Sequence, residues 1–243
     1  LHKEYRRQRQ MCIRDRGTLT LAGHGGSTAA SKIDTTAAGD MWDNFDEMTI
    51  GATTTQNAVK TSGAGNNSFF YASPDLMDGL NVTLSYNPQA ANSGPSELGY
   101  GFNYTGVEGL SVSYAQTDIE TNTATTSGDN TVLKLSYAYG PVTLTYSDME
   151  TNISQDNLAG DTDSYAVSYT VSDDLSVTYG SETHAQDAQT TDTEIDGISV
   201  AYTTGGMTIS AAMQSAENLN HSTNTPVPYT HLRAHETSLH LVC

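Results

Sequence analysis

Apolar and polar residues alternate strictly through most of the chain. Val82, Leu84 and Tyr86 are interleaved with Thr83 and Ser85, and Leu110, Val112 and Tyr114 with Ser111 and Ser113. The pattern returns at Leu133, Leu135, Tyr137 and Tyr139; at Val142, Leu144 and Tyr146; at Tyr165, Val167, Tyr169 and Val171; at Leu175, Val177 and Tyr179; and at Ile198, Val200 and Tyr202. Residues two apart share one face of a strand, so each segment carries an apolar face and a face of Ser, Thr, Asn or Gly. Helical periodicity appears nowhere with comparable strength. The pattern predicts about eleven strands, near 17–23, 67–73, 80–87, 97–105, 109–118, 130–139, 141–149, 163–171, 174–182, 194–203 and 206–215.

The connections alternate in length. Short turns fall at Gly106 to Gly109, Gly140–Pro141, Ser172 to Asp174 and Thr204 to Gly206, where Gly, Pro and Asp supply turn dihedrals. Longer polar loops are expected around 88–96, 119–129, 150–162 and 183–193. Tyr71, Tyr104, Tyr137, Tyr169 and Tyr202 recur every 32 or 33 residues, each near a strand end that enters a short turn. The repeat is an antiparallel hairpin with a short turn on one side and a long loop on the other.

A face made of Ser, Thr and Asn has nothing to pack against and must see water, so the apolar face must meet another sheet or lipid. Greek-key crossovers in a β-sandwich would interrupt the up-and-down order, and a β-solenoid would give parallel rungs. An outer-membrane barrel explains every feature: apolar residues toward lipid, polar residues toward a lumen, unequal rims and aromatic girdles. The expected fold is therefore all-β, an antiparallel up-and-down transmembrane β-barrel. The alternative is a secreted acidic β-sheet adhesin or carbohydrate-binding protein. That alternative would bury Leu110, Val112, Leu133 and Leu135 against a second sheet, whereas a barrel leaves them on its outside.

Composition narrows the function. The 243 residues include 10 Lys+Arg and 28 Asp+Glu, a net charge of −18. No stretch approaches the ~18 apolar residues of a membrane helix, and the shortage of clustered bases argues against a nucleic-acid partner. Six of the ten bases (Lys3, Arg6, Arg7, Arg9, Arg14, Arg16) lie in the first sixteen positions, a seventh is Arg233, and both cysteines, Cys12 and Cys243, are also terminal. Arg6 to Arg16, RRQRQMCIRDR, resembles the translation of a transposon-end sequencing adapter. Pro226 to Thr237, PVPYTHLRAHET, resembles the reverse complement of its partner, differing at Pro228 where that adapter would encode Ser. Segments 1–16 and 226–243 are accordingly expected to be non-native and are set aside. The remainder, Gly17–Thr225, holds three bases (Lys32, Lys60, Lys134) against 25 acids, a net charge of −22, with no cysteine.

One stretch breaks the rhythm. Residues 24–66 have no hairpin pattern and contain Asp34, Asp40, Trp42, Asp43, Phe45, Asp46 and Glu47. A loop this long is usually functional. Trp42, Phe45 and Met48 fit one side of a short helical turn, with the acids facing outward, and such a loop can fold into a lumen. If Asp34, Asp40, Asp43, Asp46 and Glu47 line the narrowest ring, cations are favoured and anions slowed. Lys134 alternates with Leu133 and Leu135, which points it into the lumen, where it moderates that bias. Asp156, Asn157, Asp161 and Asp163 have calcium-loop composition without the spacing of the known motif and read as a solvated loop. His24, His184 and His221 show no metal-ligand spacing. No nucleophile elbow or phosphate loop is present, so neither catalysis nor a metal or cofactor is expected.

GTLTLAG at Gly17–Gly23, the long acidic loop, NSFFYASPDLMDGLNVTLSY at Asn67–Tyr86, and the later GVEGLSVSYA and YGPVTLTYS segments resemble the general diffusion porins of Gram-negative outer membranes. The resemblance implies a sixteen-strand barrel, a homotrimer, and a third long loop folded inward to narrow the pore. It would make 24–66 that constriction loop and Gly17–Gly23 about the fifth strand, leaving roughly eleven of sixteen strands, an incomplete barrel with two open edges. It also implies outer-membrane localisation, contact with membrane lipid and lipopolysaccharide, and passive diffusion of small hydrophilic solutes. That family sets its loop acids against arginines on the facing wall, and Gly17–Thr225 contains no arginine.

Overall fold

The computed structural model describes residues 8–13, 16–39, 41–45, 49–50, 53–54, 66–88, 96–120, 127–154, 159–204, 207–219 and 226–236. Its strands are β1 (Gln8–Ile13), β2 (Gly17–Ala22), β3 (Thr49–Ile50), β4 (Thr53–Thr54), β5 (Ser68–Ala72), β6 (Leu80–Asn87), β7 (Glu97–Tyr104) and β8 (Leu110–Ile119). They continue with β9 (Gly128–Tyr139), β10 (Val142–Ile153), β11 (Gly160–Ser172), β12 (Leu175–Gln186), β13 (Thr193–Thr204), β14 (Met207–Glu217) and β15 (Val227–Glu236). All but β3 and β4 join one 13-stranded sheet in strict chain order, and β3 pairs with β4 inside the long loop. The sheet runs from β1 at one edge to β15 at the other and is not closed.

All eleven strands expected from the alternation are present, and every pairing is antiparallel, which excludes parallel solenoid rungs. No second large sheet covers the apolar face among the described residues, so the sandwich is excluded too. The strands run further into the expected polar loops than the apolar pattern reached. β10 continues to Ile153 and β11 begins at Gly160, while β12 continues to Gln186 and β13 begins at Thr193. Polar residues sustain the ladder there because pairing is made by the backbone, whatever the side chains. The two terminal segments also lie in the sheet, β1 against β2 and β15 against β14. An open edge offers a row of unpaired backbone groups that accepts an adjoining chain with little regard to sequence.

The sheet is polar where it is covered and apolar where it is bare. On β11, Thr162, Ser164 and Ala166 are 1–3% exposed, whereas Tyr165 and Val167 are 50% and 41% exposed. Leu84, Tyr100, Tyr137, Leu144, Tyr146, Tyr179, Ile198 and Tyr202 are likewise exposed on this outer face. Near the short-turn rim, Tyr104, Tyr137, Tyr169 and Tyr202 stand opposite Leu80, Leu110, Val142 and Leu175 on the neighbouring strands. This register makes the tyrosine repeat of the sequence a girdle of aromatic–aliphatic cross-strand pairs.

Toward the long-loop rim both faces change character. Outward positions there become acidic: Asp118 on β8, Asp148 and Glu150 on β10, Asp161 and Asp163 on β11, Glu194 and Asp196 on β13. Inward positions there admit apolar residues among the polar ones: Ala115, Val132, Met149, Ile195 and Ala216 are buried beside Thr117, Asn130, Thr151 and Thr193. The period of two is unbroken; only the solvent on each side has changed.

Candidate pore-lining site

What buries the inner face is the first half of the long loop. It begins with a 3₁₀ turn at Ala30–Lys32 that is held by reciprocal side-chain bonds. Thr28 N–H donates to Ser31 Oγ (2.8 Å) and Ser31 N–H donates to Thr28 Oγ1 (3.0 Å). Ser and Thr favour such turn ends because their hydroxyls satisfy backbone donors that the turn leaves open. A second 3₁₀ turn spans Trp42–Asn44. Trp42 and Phe45 are buried on its inner side, which bears out the expectation for these two residues; Met48 lies outside the described residues.

Between the turns the loop crosses the sheet strand by strand. Ala29 N–H donates to Ser85 Oγ on β6 (2.9 Å) and Ala30 N–H to Thr117 Oγ1 on β8 (3.1 Å). Ala37 N–H donates to Ser164 Oγ on β11 (2.6 Å) and Met41 N–H to Glu182 Oε2 on β12 (3.3 Å). The Asn44 side-chain amide donates to Gln214 Oε1 on β14 (2.9 Å). The hydroxyls, carboxylate and amide of the polar face thus serve as acceptors for a segment that makes few backbone bonds of its own.

Two apolar islands complete the seat. Ala29, Ala30 and Ile33 pack on Ala115, Val132 and Met149, and Met41, Trp42 and Phe45 pack with Ile195, Ala216 and Leu219. Close approach depends on missing side chains. A Cβ at Gly99 would stand 2.4 Å from Ser85 Oγ and 2.5 Å from Thr117 Oγ1, and one at Gly180 would stand 2.3 Å from the Ala38 Cβ. Both glycines lie on the inner face beneath the loop.

The structure brings together two of the residues singled out from the sequence. Lys134 points to the inner face, as its alternation requires, and its Nζ lies 2.7 Å from Asp34 Oδ2 and 2.7 Å from the Thr36 carbonyl. Asp34 Oδ1 accepts from the Thr36 N–H (3.2 Å) and hydroxyl (3.3 Å). Asp34 is therefore a tethered carboxylate, half of a clasp, and Lys134 is its counter-charge. Asp40, Asp46 and Glu47 lie outside the described residues, as does the side chain of Asp43, whose backbone sits in the second turn. Asp161 and Asp163, expected near a solvated loop, are on the outer face of β11, where Tyr146 donates its hydroxyl to Asp163 Oδ1 (2.7 Å).

Sequence reasoning missed the wall side of the site. Ser85, Thr117, Ser164 and Gly180 look like ordinary polar-face residues, and Glu182 had no distinguishing signal. His184, set aside for lack of metal spacing, touches Glu182 and Trp42. The alternation of Thr178, Gly180, Glu182 and His184 on β12 could have shown that these four residues share the inner face.

An apolar face turned outward, a polar face turned inward and a loop folded against that inner wall define a β-barrel channel of the outer-membrane type. The chain belongs to the Gram-negative porin family, whose model matches residues 13–226. Among solved structures it is similar to an anion-selective porin from Comamonas acidovorans (14% identity, TM-score 0.65, 94% of this chain and 74% of that one). It is also similar to a variant of the Rh. blastica porin (13%, 0.62, 93% and 75%) and to Salmonella typhi OmpF in complex with daunomycin (15%, 0.60, 90% and 74%). At these identities the likeness is one of fold. No curated protein matches the chain. The protein is thus an outer-membrane porin, and its open sheet is that of an incomplete barrel.

Proposed function

We propose that the channel passes small hydrophilic solutes and ions by passive diffusion and favours cations, with the loop 24–66 as its constriction. The observation that carries this reading is the seating of residues 29–44 across the polar face from β6 to β14. The reading takes Asp40, Asp43, Asp46 and Glu47, in and just beyond that segment, as the acids of the narrowest ring, whose charge biases ion traffic. Lys134 is largely spent on Asp34, which leaves the other loop acids to set the sign. The Comamonas relative is anion-selective, so shared fold does not decide selectivity; the charge of this loop does.

The wall is low at β2 and β5, six and five residues, against 10 to 13 in β8 to β14. A spanning strand needs ~9–11 residues, so the low side calls for protein rather than lipid against it, in keeping with a homotrimer. Lipid and lipopolysaccharide would surround the tall side. The terminal segments 1–16 and 226–243 are read as non-native on their resemblance to sequencing adapters.

The test is current across a planar lipid bilayer in a salt gradient, using the full porin chain. Stepwise ohmic conductance with a cation-selective reversal potential is expected. Anion preference would reject the acidic loop as filter, and silence from correctly inserted protein would reject the channel.

A further inference from the structure

The buried inner face of the upper wall is uncharged on β9, β10, β13 and β14, where Val132, Asn130, Met149, Thr151, Thr193 and Ile195 lie, but on β12 it carries Glu182 and His184, 0% and 4% exposed. A carboxylate taken wholly out of water needs compensation. Glu182 finds it in two places: Oε2 accepts the Met41 N–H of the loop, and Oε1 lies 2.5 Å from His184 Nε2. His184 is held in turn by Thr162, whose Oγ1 is 3.2 Å from Nδ1. The Trp42 ring lies over His184, with centroids 5.3 Å apart. The group is therefore a relay from β11 through β12 to the backbone of the loop, ending where the second 3₁₀ turn begins. Beside it lies a cavity of about 320 Å³ between loop and wall, lined by Ala38, Met41, Gly180, Gly197 and Ala212 among others. The loop meets open space on this side, beside the cluster that packs Met41, Trp42 and Phe45.

We propose that Glu182, oriented by His184, is the positioning residue that fixes the constriction loop and thereby the width of the pore. The inference rests on the channel reading above and adds to it the group that holds the loop still. Glu182 supplies the acceptor on the wall nearest the acid-bearing part of the loop, and His184 and Thr162 keep that acceptor aimed. Loss of the acceptor frees Met41 to move over the cavity, and the passage then fluctuates in width.

The test uses the full-length porin in planar bilayers, with Trp42, the one tryptophan of this sequence, as a reporter read by difference from a Trp42→Phe background. Glu182→Ala is expected to raise open-channel current noise and single-channel conductance, and to red-shift Trp42 emission with greater acrylamide quenching. Glu182→Gln, whose amide oxygen still accepts from Met41, is expected to stay close to wild type. An A37C/S164C cross-link, placed where the Ala37 N–H meets Ser164 Oγ, is expected to restore a quiet current in the Glu182→Ala background. Glu182→Ala channels with wild-type noise, conductance and Trp42 emission would overturn the inference, even if their thermal stability had fallen. Should Glu182→Ala fail to insert, His184→Ala is read in the same way, and an unchanged trace and spectrum overturn it. Silence from wild type would instead strike at the channel reading itself.

Discussion

On β10, Leu144 and Tyr146 face outward in the half nearer the short turn, and Asp148 and Glu150 face outward in the half nearer the long loop. Inward, the same strand passes from Thr145 and Ser147 to Met149, Thr151 and Ile153. One strand thus obeys two opposite rules, because the media on its two sides change along its length. In the lower half, lipid is outside and water inside; in the upper half, water is outside and a packed loop inside. The lower half resembles a membrane barrel, and the upper half resembles the wall of a soluble protein around a small core.

The comparison breaks most sharply if a charge is put on the lower outer face. Val167→Arg is expected to destabilise the inserted barrel by about 2–4 kcal/mol, read as a lower denaturant midpoint after refolding into liposomes; an unchanged midpoint would mean that this face is not in lipid. An upper inward position is sensitive to size. Gly180→Val would drive a side chain into Ala38, and overpacking of this kind costs about 1–3 kcal/mol, with lower single-channel conductance as the loop is displaced. Wild-type conductance would show that the loop does not rest there. The smallest effect belongs to the clasp. Removing its cation by Lys134→Met is expected to cost about 0.2–1 kcal/mol, since both partners are partly exposed, while the reversal potential shifts toward greater cation preference as Asp34 loses its counter-charge. A shift toward anions would reverse the sign assigned to this pair.

The lower half was legible in the sequence and the upper half was not. Alternation located all eleven strands because Leu, Val and Tyr recur outward at a fixed period wherever lipid is the outer medium. It stopped short at residues such as Glu150 and Asp161, where acids take the outward positions and the segment reads as a polar loop. Trp42 and Phe45 were legible as the buried side of a turn, being large apolar residues in an acidic stretch. The pairing of Lys134 with Asp34 was not, because partners 100 residues apart are joined only by the register of several intervening hairpins. Glu182 was hidden for the same reason: one acid among many gives no sign of complete burial.

The loop's attachments are ordered in a way that bears on assembly. Its bonds to the wall span 56 residues at Ser85, 87 at Thr117, 127 at Ser164, 141 at Glu182 and 170 at Gln214. Contacts of large sequence separation form late, because the intervening chain must first be ordered. Each further attachment site therefore exists only after one or more additional strands have joined the wall. The seat of the loop is complete only once the wall has grown at least to β14, so a growing barrel stays wide until that strand is in place.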